Sequence, residues 1–108
     1  MRILILDDDV AFAQILGASL RSEGHFVLVF SSPQEALDHI HEAEVLVTDY
    51  NRSEMTGLEV AKRAYEQGWR GSLFIGSGHV SATSERIEYP LLRSILDKPF
   101  SSQQLVED

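Results

Sequence analysis

Three aspartates stand in a row at Asp7-Asp8-Asp9, a fourth follows at Asp49, and Ser77 and Lys98 come later. Each sits at or just past the end of a short apolar run: Ile3–Leu6, Val45–Thr48, Ser72–Ile75 and Ser94–Leu96. Carboxylates gathered at one place repel. Two unit charges about 4.5 Å apart cost about 3.7 kcal/mol at an effective dielectric of 20. A divalent cation removes that cost. A small site of hard oxygens favours Mg²⁺, which keeps several waters and takes one or two carboxylates plus a phosphoryl oxygen. Lys98 is a point positive charge able to hold a phosphoryl oxygen, and the Ser77 hydroxyl can do the same. An aspartate in such company can act as a nucleophile toward phosphorus and form an aspartyl-phosphate. Metal and lysine would neutralise the charge on the transferring group.

These residues meet only if the chain folds so that the ends of its apolar runs share one rim. Ile3–Leu6 reads as a strand buried on both faces. From Val10 the period changes: Phe12, Leu16 and Leu20, with Ala13 and Ile15 beside them, predict a helix to about Glu23, closed by Gly24. Phe26–Phe30 reads as a second buried strand. Ser32-Pro33-Gln34-Glu35 is a helix start with a cap, a proline at the first position and a capping-box glutamate. Ala36, Leu37 and Ile40 form its apolar face. Val45–Asp49 is a third strand. Leu58, Ala61, Ala64 and Tyr65 mark a third helix ending at Gly68. Ser72–Ile75 is a fourth strand, and Ser94–Asp97 a fifth. Pro90 forbids one regular helix through 79–93, so the fourth helix is expected to be short or distorted. Ser101, with Gln104 at the capping-box position, opens a last helix.

Strands that are apolar throughout and alternate with helices predict a parallel sheet covered on both faces. Right-handed crossovers put the carboxyl ends of all strands along one edge, where open α/β sheets bind ligands. Asp7, Asp8, Asp49, Ser77 and Lys98 would all lie there.

Composition narrows the alternatives. The chain has 108 residues, the size of one domain. It carries nine basic and seventeen acidic residues, for a net charge of −8, which disfavours nucleic acid and anionic membranes as partners of this chain. With no cysteine there is no disulfide frame, thiolate zinc site or thiol nucleophile. The longest apolar run falls well short of the ~18 residues a membrane span requires, and no signal-peptide cleavage pattern follows Met1. The expected location is the cytoplasm.

In order and spacing, Ile3-Leu4-Ile5-Leu6-Asp7-Asp8-Asp9, Val47-Thr48-Asp49, Met55-Thr56-Gly57, Ile75-Gly76-Ser77-Gly78 and Lys98-Pro99-Phe100 resemble the receiver domain of two-component response regulators. The resemblance spans essentially the whole chain, 1–108. It implies a single flavodoxin-like, doubly wound domain with a five-stranded parallel sheet in the order 2-1-3-4-5. It implies that Asp49 is the phosphoryl acceptor, that Asp8 binds Mg²⁺ directly and Asp7 through water, and that the backbone carbonyl of Asn51 completes the protein's share of the metal shell. By the same resemblance Ser77 is the switch hydroxyl, Gly78 the small residue beside it, and Lys98 the phosphoryl-binding lysine of a Lys-Pro pair. The donor would be a phosphohistidine on a histidine kinase or phosphotransfer protein, and the output would pass through protein contact to an unidentified partner. The chain would be a self-phosphorylating acceptor rather than a turnover enzyme.

The chain departs from the family pattern in four places. Arg52-Ser53 stands where the family usually has Met-Pro; Arg52 either pairs with Glu54 or shields the phosphoryl group. Ile95 stands where an aromatic ring often moves with the switch hydroxyl. The segment before Pro90 is short. The last helix ends early, at Asp108, which fits either a short protein or the first piece of a longer one.

The same residues admit plainer readings. Asp9 is read as a cap only. His25, His39 and His41 have no metal spacing and read as surface residues, while His79 lies near the rim, where it could tune water access. Trp69 reads as packing. A receiver-like module that binds partners without being phosphorylated is the alternative function. A phosphatase built on Asp7 and Asp9 lacks room for a capping segment.

Overall fold

The computed structural model describes residues 1–49, 56–77 and 92–97, with Ser77 and 92–97 described by their backbone alone. In chain order the elements are β1 (Arg2–Leu6), α1 (Val10–Ser22), β2 (Phe26–Phe30), α2 (Pro33–Asp38), a 3₁₀ turn (Ile40–Glu42), β3 (Val45–Asp49), α3 (Gly57–Glu66), β4 (Ser72–Ser77) and β5 (Leu92–Asp97). The strands form one five-stranded sheet in the order β2-β1-β3-β4-β5, and every pairing is parallel. The expected fold and strand order are therefore observed. The expected fourth and last helices lie outside the described residues.

Two apolar layers follow from the period-2 alternation of the strands. Ile3 and Ile5 of β1, Val45 and Val47 of β3 and Phe74 of β4 pack with Ala13, Leu16 and Leu20 of α1. Leu4 and Leu6, Leu46, Leu73 and Ile75 face the other way, onto Ala36 and Leu37 of α2 and Val60, Ala61 and Ala64 of α3. Each fully buried Leu or Ile contributes roughly 1.5–3 kcal/mol. Every strand between the two layers must thus be apolar on both faces, which is why β1 and β3 read as unbroken runs.

The helix ends follow local chemistry. Asp9 caps α1, its carboxylate accepting from the Phe12 N–H at 3.1 Å. Ser32 caps α2 through the Glu35 N–H, with Pro33 in the first turn. Gly24 and Gly68, at φ 94° and 98°, turn the chain out of α1 and α3 in a conformation L side chains rarely adopt. Trp69 is buried, and its indole Nε1–H donates to the Ala43 carbonyl at 2.8 Å, pinning the α3–β4 turn to the start of β3.

Three expectations are corrected. β2 is half-exposed rather than buried, because it is an edge strand; Phe26 is open to solvent with the Arg2 guanidinium 6.0 Å above its ring. Ile15 does not belong to the buried face of α1. It is 68% exposed, and the face consists of Ala13, Leu16, Gly17 and Leu20. Ile40 is buried but lies in the 3₁₀ turn, not in α2. The α2 ladder stops at His39, whose ring stacks on Phe30 and whose Nδ1 bonds Glu42 Oε2 at 2.6 Å.

Candidate functional site

β1 and β3 are neighbours, and their register pairs Ile5 with Val47 and Leu6 with Thr48. The connection from β1 leads through α1 to β2 on one side, while the next connection returns across β1 to β3 on the other. The strand order reverses between β1 and β3, which opens a crevice at their carboxyl ends.

The alternation that turns Ile5 and Val47 toward α1 carries Asp7 and Asp49, two residues on, toward the same side. Asp7 still continues the ladder, its N–H donating to the Phe30 carbonyl at 3.1 Å. Asp8 follows in the turn that enters α1. One carboxylate oxygen from each of Asp7, Asp8 and Asp49 lies within 4.8 Å of the others. Asp7 is buried, Asp49 half-buried and Asp8 exposed. This graded burial describes a cup with one dry wall and one open lip.

Asp7 is held in place by a local turn. Its Oδ1 accepts from the Asp9 N–H at 2.9 Å, the i to i+2 bond that aspartate favours. Asp9 thus caps α1 with its side chain and orients Asp7 with its backbone. The Asp-x-Asp spacing was the available signal for the second role, which sequence reasoning missed. At the back of the site, Thr48 is fully buried and its hydroxyl donates to the Asp49 carbonyl at 3.3 Å.

Across the rim, β4 pairs Asp49 with Gly76, so the backbone places Ser77 one residue beyond the level of Asp49, beside Asp97 of β5. Lys98 follows directly on β5. Asn51, Arg52, Ser53, Gly78, His79, Lys98 and Pro99 lie outside the described residues, as does the side chain of Ser77. The structure thus brings Asp7, Asp8 and Asp49 together and puts Ser77 on the same rim by its backbone.

The donor set suits a hard divalent cation. It offers carboxylate oxygens alone, on a lip open to water, which matches an ion that retains part of its hydration shell. Among the described residues, this acidic cluster is the one group of three potential ligands with such convergence.

A parallel doubly wound sheet with three convergent carboxylates at its switch point defines a class of small acidic α/β domains with a rim site suited to a cation. Residues 3–108 match the family described as response regulator receiver domain, and the chain belongs to that family. It is 29% identical over 110 residues to the response regulator receiver protein CpdR of Brucella abortus, covering 99% of this chain and 92% of that protein. It is 33% identical over 64 residues to the cell cycle transcriptional regulator CtrA of Caulobacter vibrioides. That match covers 57% of this chain and only 28% of CtrA. A response regulator receiver protein from Sinorhizobium medicae shares the fold with a TM-score of 0.83 at 27% identity, over 98% of this chain and 88% of that one. No described helix is long and apolar enough to cross a membrane.

Proposed function

We propose that residues 1–108 act as one phosphoacceptor receiver domain in which Asp49 takes a phosphoryl group from a phosphohistidine, with Mg²⁺ in the acidic cup. The observation that carries this reading is the convergence of Asp7, Asp8 and Asp49 at the switch point of a receiver-family sheet. Asp8 and Asp49 would hold the cation directly and Asp7 through water, with the Asn51 carbonyl completing the set. The bound ion would supply charge neutralisation for the acidic cup and the incoming phosphoryl oxygens.

A carboxylate oxygen of Asp49 attacks phosphorus in line. The new P–O bond forms as the P–N bond breaks, and its electron pair returns to the imidazole, which takes a proton from solvent. Half-burial of Asp49 leaves its oxygen reachable by a ring on another protein. Lys98 binds a phosphoryl oxygen as a point charge, and the Ser77 hydroxyl donates to another. These new bonds favour one of two conformations, so the signal is a population shift. The partners are a histidine kinase or phosphotransfer protein on the input side and a protein on the output side. A kinase fed by ATP places the domain in the cytoplasm.

The test is labelling from a phosphohistidine donor carrying radioactive phosphate. Wild-type protein should take up label in Mg²⁺, and Asp49→Asn should take up none. Persistent label on Asp49→Asn would reject the site assignment. Absence of label on the wild type, with partner binding retained, would favour a binding module that is not phosphorylated.

A further inference from the structure

We infer that Gly57 is a positioning residue for Asp49: the first residue of α3 is pressed against the end of β3 so closely that any side chain there would move the acceptor carboxylate. A Cβ built on Gly57 would overlap the Asp49 carbonyl oxygen outright, and would stand 2.9 Å from Thr48 Cγ2 and 3.1 Å from the Asp49 carbonyl carbon. Restoring an ordinary 3.4 Å contact to Thr48 Cγ2 alone takes 0.5 Å. The closer Asp49 oxygen requires a larger shift. Sites of this kind tolerate about 0.5 Å of misplacement.

The helix is the less yielding side of this contact. Thr56 caps α3 in a full capping box: its Oγ1 accepts from the Glu59 N–H at 3.2 Å, while Glu59 Oε1 accepts from the Thr56 N–H at 3.1 Å. Val60, Ala61 and Ala64 are fully buried against the sheet behind it. Asp49 is the last residue of β3, and its own carbonyl is what the Cβ meets first. Relief of the overlap therefore displaces the strand end, and with it the Asp49 side chain.

The inference rests on the phosphoacceptor reading for its consequence, though not for its geometry. Gly71 provides the control. A Cβ there would overlap the Glu44 carbonyl oxygen and the Trp69 ring just as badly, but at the amino end of β4, the opposite edge of the sheet. Gly57→Ala and Gly71→Ala are compared at a temperature where thermal melts show both folded. Amide NMR spectra are recorded without metal, followed by Mg²⁺ titration and phosphorylation by acetyl phosphate. Gly57→Ala should shift the Asp49, Asp7 and Asp8 amides, weaken Mg²⁺ about tenfold and slow phosphorylation about 10- to 100-fold. Gly71→Ala should leave all three readouts within about twofold of wild type, the scatter ordinary for a remote substitution.

The double variant Thr48→Ser with Gly57→Ala removes the Cγ2 contact and keeps the clash with the Asp49 carbonyl. It should recover only part of the stability and none of the Mg²⁺ affinity. Recovery of both, or equal losses in the Gly57 and Gly71 variants, would overturn the inference. If Gly57→Ala does not fold, the same measurements are made in trimethylamine N-oxide, which favours the compact state. Collapse there while Gly71→Ala folds would make Gly57 a folding residue only, and would also overturn it. A wild-type protein that neither binds Mg²⁺ nor accepts phosphate rejects the phosphoacceptor reading instead, and the metal-free Asp49 shifts still decide the role of Gly57.

Discussion

Asp8→Asn isolates the electrostatic cost of the acidic cup. Asp8 is its exposed member, so the near-isosteric amide opens no cavity and strands no buried polar atom. Its carboxylate reaches within 4.8 Å of those of Asp7 and Asp49. At that separation two unit charges repel by about 0.9 kcal/mol in bulk water and about 3.5 kcal/mol at an effective dielectric of 20. The exposed position makes the water limit the right one, so the two pairs together cost about 1.7 kcal/mol. Ions at about 0.15 M, with a Debye length of about 8 Å, reduce this by roughly half. Without metal, Asp8→Asn should therefore gain about 1 kcal/mol, which raises the melting temperature by about 4 °C for a domain of this size. Mg²⁺ should reverse the order: at a hundredfold excess over its dissociation constant it would add about 2.7 kcal/mol to the wild type, and the amide would forfeit most of that. Melting curves by circular dichroism, in EDTA and in saturating MgCl₂, should cross: the variant more stable in the first, less stable in the second. Raising NaCl in EDTA should close the gap. A variant that melts below wild type in EDTA, or an equal Mg²⁺ shift in both proteins, would refute the reasoning.

Two further expectations concern the scaffold. Thr56→Ala removes the cap of α3 and should cost about 1 kcal/mol, read as a lower urea midpoint with an unchanged slope. Trp69→Phe leaves the Ala43 carbonyl without its 2.8 Å donor and should cost about 1–3 kcal/mol for the stranded acceptor. Urea unfolding followed by far-ultraviolet circular dichroism measures it, and an unchanged midpoint would show that water replaces the indole.

The rim was legible because each acid directly follows an apolar run, and a parallel sheet sends the ends of all such runs to one edge. Asp7, Asp8 and Asp49 could be grouped from chain order alone. Other features depend on contacts that no local pattern carries. Phe26–Phe30 is as apolar as Val45–Val47, yet one is an edge strand and the other lies mid-sheet. Ile15 sits one position from Leu16, and only the placement of the sheet decides which of them is buried. The chain breaks before Ile40 at His39, whose ring stacks on Phe30 of another element, a contact no local pattern carries. Thr56-x-x-Glu59 was a readable capping signal that the periodicity of Leu58 and Ala61 overshadowed. Gly57 stands in the Met55-Thr56-Gly57 segment that resembles the family, but a glycine at a helix start is compatible with many causes; only the proximity of the Asp49 carbonyl distinguishes them.

The core and the site are locked by one geometric fact. Ile3 and Ile5 on β1, and Val45 and Val47 on β3, all face α1, and Asp7 and Asp49 are the next residues of that parity on each strand. Neighbouring strands lie about 4.8 Å apart, so carboxylates at matched positions must approach at roughly that distance. A slip of one residue in either strand would part the carboxylates, and would also turn that strand's whole apolar set to the opposite layer. For β1 alone that misplaces Ile3, Leu4, Ile5 and Leu6, all fully buried, each contributing roughly 1.5–3 kcal/mol. The repulsion in the cup, about 1.7 kcal/mol for the two Asp8 pairs and about 3.5 kcal/mol for the less exposed Asp7–Asp49 pair, stays below that sum. The hydrophobic register therefore holds together charges that would otherwise separate, and leaves their mutual repulsion for a cation to relieve.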